Sequence, residues 1–113
     1  MDKLVERGML FDFYGELLTD HQKRIYSEAV FNDLSLAELS EEEGISRQGI
    51  HDLIKRCDKL LMGYEDKLKL VEKFQRIKAE VSKLDDKIDS LDNLDKDMKS
   101  VIKNGLQNII EDL

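Results

Sequence analysis

Apolar residues at positions 4, 5, 9, 10, 13, 14, 17 and 18 recur at spacings of three and four. That period predicts an amphipathic helix from about Asp2 to Leu18 with one broad inward face, widened by Phe11. Gly8 and Gly15 lie seven apart within it. Each weakens a helix by about 1 kcal/mol against alanine, so both are expected where the helix packs closely on a neighbour. Thr19-Asp-His-Gln22 has the form of a capping box. It predicts a second helix from Asp20 to about Phe31, with Ile25, Tyr26, Ala29 and Val30 inward and a turn at Asn32-Asp33.

A second capping box, Ser35-Leu-Ala-Glu38, opens a short helix ending at Glu43, with Leu36 and Leu39 inward. Gly44 then supplies the left-handed residue that a tight corner needs. Ile45 is placed to plug the corner from inside, Ser46 to cap the next helix, and Ile50, Leu53 and Ile54 to turn inward from it. A small residue at Ser40, glycine four later, an apolar residue, a serine cap and Ile50 form, in that order, the helix-turn-helix pattern.

From Ser46 the helical pattern runs without a clear stop to the Asp-rich stretch at 85–97, with Gly63 isolated inside it. Tyr64, Leu68, Val71, Phe74, Ile77, Val81, Leu84, Ile88 and Leu91 step by threes and fours. From Ile77 to Leu91 the steps alternate as in a coiled-coil seam. A corner is expected at Asp85–Asn93, followed by a last helix with Leu94, Met98, Val101, Ile102, Leu106, Ile109, Ile110 and Leu113 on one side. The predicted fold is all-α: a helix-turn-helix bundle over residues 1–62 and a C-terminal helical hairpin over 63–113. Leu68, Leu70, Val71, Phe74 and Ile77 exceed what one seam needs. That width suits a homodimer, another protein partner, or a hairpin folded back on residues 1–60.

Composition sharpens this picture. The chain has no proline, few glycines and 38% charged residues, as an all-helical protein would. Its net charge of −7 argues against avid, sequence-blind binding of nucleic acid. Residues 1–45 are strongly negative, whereas 46–61 carry Arg47, Lys55, Arg56 and Lys59 against Asp52 and Asp58. Cys57 stands alone, which precludes an internal disulfide and fits a reducing compartment. The sequence has neither an apolar run of membrane-spanning length nor the apolar core of a signal peptide at its start, so a cytoplasmic protein without membrane insertion is expected.

Catalytic and metal chemistry find no footing in the sequence. His21, His51 and Cys57 lack ligand spacing for zinc. The aspartates at 85, 86, 89, 92, 95 and 97 lack the glycine and the terminal glutamate of a calcium loop. There is no phosphate loop and no nucleophile–histidine pairing. The expectation is a non-enzyme with no cofactor. Residues near the start of the second helix of a helix-turn-helix reach base edges, which makes Arg47, Gln48 and His51 candidates for base contact and Lys55, Arg56 and Lys59 for phosphate. Gly49 forgoes a contact, Asp52 would face phosphate, and Glu41-Glu-Glu43 would repel a DNA backbone. A solvated face of mixed charge is the competing reading.

Leu10-Phe-Asp-Phe-Tyr-Gly-Glu-Leu-Leu-Thr-Asp, Ser35-Leu-Ala-Glu-Leu-Ser and Gly44-Ile-Ser-Arg-Gln-Gly-Ile-His-Asp-Leu-Ile-Lys-Arg together resemble the YlxM family of small bacterial proteins, over about residues 8–75. The helix-turn-helix alone is similar to region 4 of bacterial sigma factors. The resemblance implies a cytoplasmic accessory or regulatory protein of the signal recognition particle pathway, with the particle's GTPase Ffh and its RNA as partners. It brings no catalytic residues. By similarity to sigma region 4, Arg47, Gln48 and His51 match contact positions, while Gly49 and Asp52 depart from a basic pattern. The alternative is a DNA-binding transcription regulator that reads DNA with the helix starting at Ser46.

Overall fold

The computed structural model describes residues 2–113, and every described regular element is helical. In order these are α1 (Lys3–Tyr14), a single 3-10 turn (Gly15–Leu17), α2 (Asp20–Val30), α3 (Leu36–Glu43), α4 (Arg47–Leu68), α5 (Leu70–Asp89) and α6 (Lys96–Glu111). The chain is an all-α helix-turn-helix protein, as its periodicity predicts. It divides into two compact units, one running up to Val71 and the other covering Glu72–Leu113. The boundary drawn from sequence at 62/63 falls inside α4.

In the first unit, local chemistry sets the helix ends. Asp2 caps α1 by accepting from the Leu4 amide. Thr19 and Gln22 exchange the two hydrogen bonds of a capping box at α2, and Ser35 and Glu38 do so at α3. The helix expected to reach Leu18 instead tightens at Gly15 into the 3-10 turn. Three residues per turn advance the side chains faster around the axis than an α-helix does. Leu18 thereby stays buried while Leu17 is turned out to solvent. A Cβ on Gly15 would sit 3.2 Å from the Phe11 ring, so this glycine does serve close packing, against its own preceding turn. Gly8 does not, because a Cβ there would make an ordinary 4.0 Å contact with Phe31.

The core lies between α4 and the three helices before it. One cluster gathers Leu10, Tyr14, Leu18, Tyr26, Cys57, Leu61 and Val71; a smaller one joins Ile25, Leu39 and Ile50 beneath the α3–α4 corner. Each fully buried aliphatic side chain contributes roughly 1.5–3 kcal/mol. Phe11 stacks on Tyr26 at 5.8 Å, and Phe31 closes the group at 5.3 Å from Phe11. Leu4, Val5 and Leu36, expected inward, are exposed. They lie in the first turns of α1 and α3, and the buried residues of those helices lie farther along them.

The long pattern after Ser46 breaks at Lys69, which adopts a left-handed conformation (φ 57°) without being glycine. The break is held by side chains. The Tyr14 hydroxyl donates to Glu65 Oε1 (2.5 Å) and accepts from the Leu70 amide (3.1 Å). Glu65 Oε1 also accepts from the Val71 amide (3.0 Å). Two amides that a helix start would leave unpaired are thus satisfied from a residue of α1 and a residue of α4. Val71, one of the seam positions counted from sequence, is buried in the core of the first unit.

In the second unit, the rest of α5 and α6 form an antiparallel hairpin joined through 90–95, with Asp95 capping α6. Lys103 Nζ lies 2.6 Å from Asp89 and 3.8 Å from Asp85. Nearer the open end, Val81 and Ser82 share a depression with Leu106 and Ile110. No residue of α6 is buried; Met98, Val101 and Ile109 are at least half exposed.

Candidate nucleic-acid interface

The corner between α3 and α4 fixes the face in question. Gly44 takes the left-handed conformation (φ 66°) and donates its amide to Ser40 O at 3.0 Å. A side chain there is strained, which explains glycine. Ser40 Oγ donates to the carbonyl of Ile45 across the turn (2.5 Å), so the small residue of the sequence pattern is a brace for the corner. Ile45 packs on Ile25, Leu39 and Ile50. Ser46 caps α4 by accepting from the Gly49 amide at 3.0 Å. Gly49 now has a reason: a Cβ there would lie 2.6 Å from Ile45 Cγ2. The residue that weakens a contact surface is required by the plug beneath it.

All six candidate residues fall on exposed positions of α4: Arg47, Gln48, His51, Lys55, Arg56 and Lys59. Arg47, His51 and Lys55 recur every four residues and share one face, whereas Arg56 is turned about 100° from Lys55. Gln48 donates its amide to Asp52 Oδ1 at 2.9 Å, and His51 Nδ1 lies 3.8 Å from the same oxygen. Base readout by Gln48 must therefore compete with an internal bond. The acidic triplet is partly neutralised. Arg24 forms a two-pronged pair with Glu43 (2.8 and 3.2 Å), with His21 3.7 Å away. The hydrogen bond to Glu43 raises the Arg24 pKa further. Glu41 and Glu42 remain exposed.

Farther along α4, Asp58 is held from two helices. Arg7 of α1 donates to Oδ2 (2.6 Å) and Tyr26 of α2 donates to Oδ1 (2.5 Å). The Asp58 bond raises the Arg7 pKa against the opposing effect of burial. Burial, then the Asp58 bond, pushes the Tyr26 hydroxyl far above its usual range. This carboxylate orients α4 on α1 and α2. Beside it a concave groove of about 640 Å³ runs between α1 and α4, with Lys3, Arg7, Lys55, Arg56 and Lys59 at its walls. Sequence reading misses Lys3 and Arg7 as partners of this face. They stand some fifty residues away from it in the chain, as the Arg7–Asp58 separation of 51 shows. Their spacing of four in α1 is the one signal the sequence offers.

Cys57 is buried, and burial pushes its thiol up to about 11, as befits a packing residue. Among the described residues no group of three or more His, Cys, Asp or Glu side chains is arranged to hold a metal ion. No described helix is long and apolar enough to cross a membrane.

A helix-turn-helix corner of this kind is what the comparisons with known proteins point to. The family model described as "Putative helix-turn-helix protein, YlxM / p13 like" matches residues 1–101. The chain belongs to this UPF0122 family. Within the family, a protein of Clostridium perfringens (strain SM101) is 44% identical over 113 residues, covering 97% of this chain and 98% of that protein. A Bacillus thuringiensis (strain Al Hakam) member is 41% identical over 103 residues, covering 91% and 94%. One from Clostridium kluyveri (strain NBRC 12016) is 40% identical over 111 residues, covering 97% and 100%. No solved structure matches the chain.

Proposed function

We propose that this UPF0122 member is a non-enzymatic, cytoplasmic accessory protein of the signal recognition particle pathway, and that it binds Ffh, the particle's RNA, or both. The observation that carries the binding reading is the exposed cationic face of α4, held rigid by the corner and by the Asp58 contacts on an otherwise acidic chain. The pathway rests on the resemblance to YlxM proteins. In this reading Arg47, His51, Lys55 and Arg56 contact RNA, and the second unit carries the surface for a homodimer or for Ffh. Titrating the purified full chain against labelled particle RNA and against Ffh, at low salt, tests it. Saturable binding to at least one is the expected result, and no binding to either contradicts it.

A second reading, a DNA-binding regulator, is favoured by one observation: Arg47 and Gln48 occupy the first turn of α4, where a helix-turn-helix meets base edges. The Gln48–Asp52 bond weighs against it. On a duplex selected from random sequence, Arg47→Ala should cost about 1–3 kcal/mol if this reading holds. Failure to select any duplex at low salt removes it.

A further inference from the structure

We propose that the groove between the start of α1 and the middle of α4 is a binding site for a phosphodiester backbone, reaching beyond the base-contacting end of the helix-turn-helix, with His51 shared between the two. The proposal rests on the reading of α4 as a nucleic-acid interface and extends that interface to residues of α1.

The charge of the groove opposes the charge of the chain. The protein carries −7 overall, yet Lys3, Arg7, Lys55, Arg56 and Lys59 line this one depression against two carboxylates, Asp52 and Asp58. Both carboxylates are engaged. Asp58 has an oxygen on Arg7 and the other on Tyr26. Asp52 accepts from Gln48 beside His51. Among the described residues, Lys3, Lys55, Arg56 and Lys59 make no ion pair. Exposed lysines with no internal partner in a concave, low-dielectric wall concentrate a polyanion locally, while the acidic remainder repels it. Position separates this contact from base reading. Lys59 stands twelve residues beyond Arg47 on α4, about 18 Å at the helical rise, outside the N-terminal turns that enter a duplex groove. Lys55 and Lys59 lie four apart on one face of α4, and Lys3 faces them from α1. Lysine suits this chemistry as a mobile point charge that tracks phosphate without reading bases.

The test compares the full-length wild type, the triple variant Lys3→Gln, Lys55→Gln, Lys59→Gln, the matching triple arginine variant, and Arg47→Ala. Each is titrated over a salt series by fluorescence anisotropy against a uridine homopolymer RNA, a thymidine homopolymer DNA and a duplex of random sequence. The three lysines are exposed, and a thermal melt checks that every variant folds. The triple glutamine variant should lose about two units from the slope of log K against log salt on single strands, at about 0.7 per phosphate contact. The arginine variant should retain the wild-type slope, and Arg47→Ala should lose no more than about one. The probe with the steepest lysine-dependent slope identifies whether the backbone is single-stranded or duplex, RNA or DNA. A triple glutamine variant with the wild-type slope on every probe overturns the groove, as does a wild type that binds none of them. Loss of Ffh binding with the slopes intact also overturns it, by making the groove a protein contact. A groove that fails while particle RNA or Ffh still binds leaves the pathway reading standing. A lysine-dependent slope without binding of either leaves the groove standing alone.

Discussion

At the residue scale, glycine at position 49 shows how fold and surface compete for one site. Alanine is worth about 1 kcal/mol over glycine inside a helix. A Cβ at 49, however, would meet Ile45 Cγ2 at 2.6 Å and Ser46 Oγ at 3.1 Å. A β-branched plug has few rotamers with which to retreat, so overpacking, at about 1–3 kcal/mol, outweighs the propensity gain. Gly49→Ala should therefore lower stability in a urea melt. Gly63→Ala is the control: nothing lies within 4 Å of where its methyl would stand, and it should gain up to about 1 kcal/mol. Equal gains at both positions would contradict the plug. Cys57 gives a second residue-level prediction. With its thiol buried and pushed up to about 11, it should resist iodoacetamide at about pH 8, below that raised value, in the folded protein. Labelling should appear only with denaturant, as mass spectrometry would show. Local chemistry is also where the sequence is most legible. Thr19, Ser35, Gly44 and Ser46 act on partners no more than four residues away, so their roles can be read from spacing alone.

Elements are joined by bonds that spacing does not reveal. The stop between α4 and α5 carries no glycine or proline; Lys69 takes the left-handed turn because Tyr14 and Glu65 satisfy the amides that follow it. Tyr14 is 56 residues from Leu70, so nothing near Lys69 in sequence announces the break. Tyr14→Phe keeps the ring and removes the bridge. It should cost about 1–3 kcal/mol through the unpaired Leu70 amide, and hydrogen exchange should quicken first at Leu70 and Val71. Unchanged exchange at those amides would show that the hydroxyl does not hold the junction. The candidate site divides in the same way. Its α4 half is readable from the helix-turn-helix pattern and the local charge balance. Its α1 half, Lys3 and Arg7, becomes visible only where Asp58 ties α1 to α4.

On the scale of the whole molecule, an acidic chain carries a cationic face on α4, and that contrast is the basis for its proposed role. The described hairpin of the second unit buries no residue of α6 and exposes Met98, Val101 and Ile109. A homodimer through this hairpin predicts that Val101→Glu lowers the mass measured by analytical ultracentrifugation from twice the chain to once. A wild type already monomeric at high concentration would contradict the dimer. The proposed role turns on what the protein meets in the cell. Affinity purification of the full-length protein from its own cells, with and without nuclease, followed by quantification of Ffh and of the particle RNA, addresses that question without an intermediary. An accessory protein of the particle should bring down both in the untreated eluate, with nuclease removing the RNA and reducing Ffh to whatever the protein binds directly. Enrichment of neither over an untagged control would contradict the role.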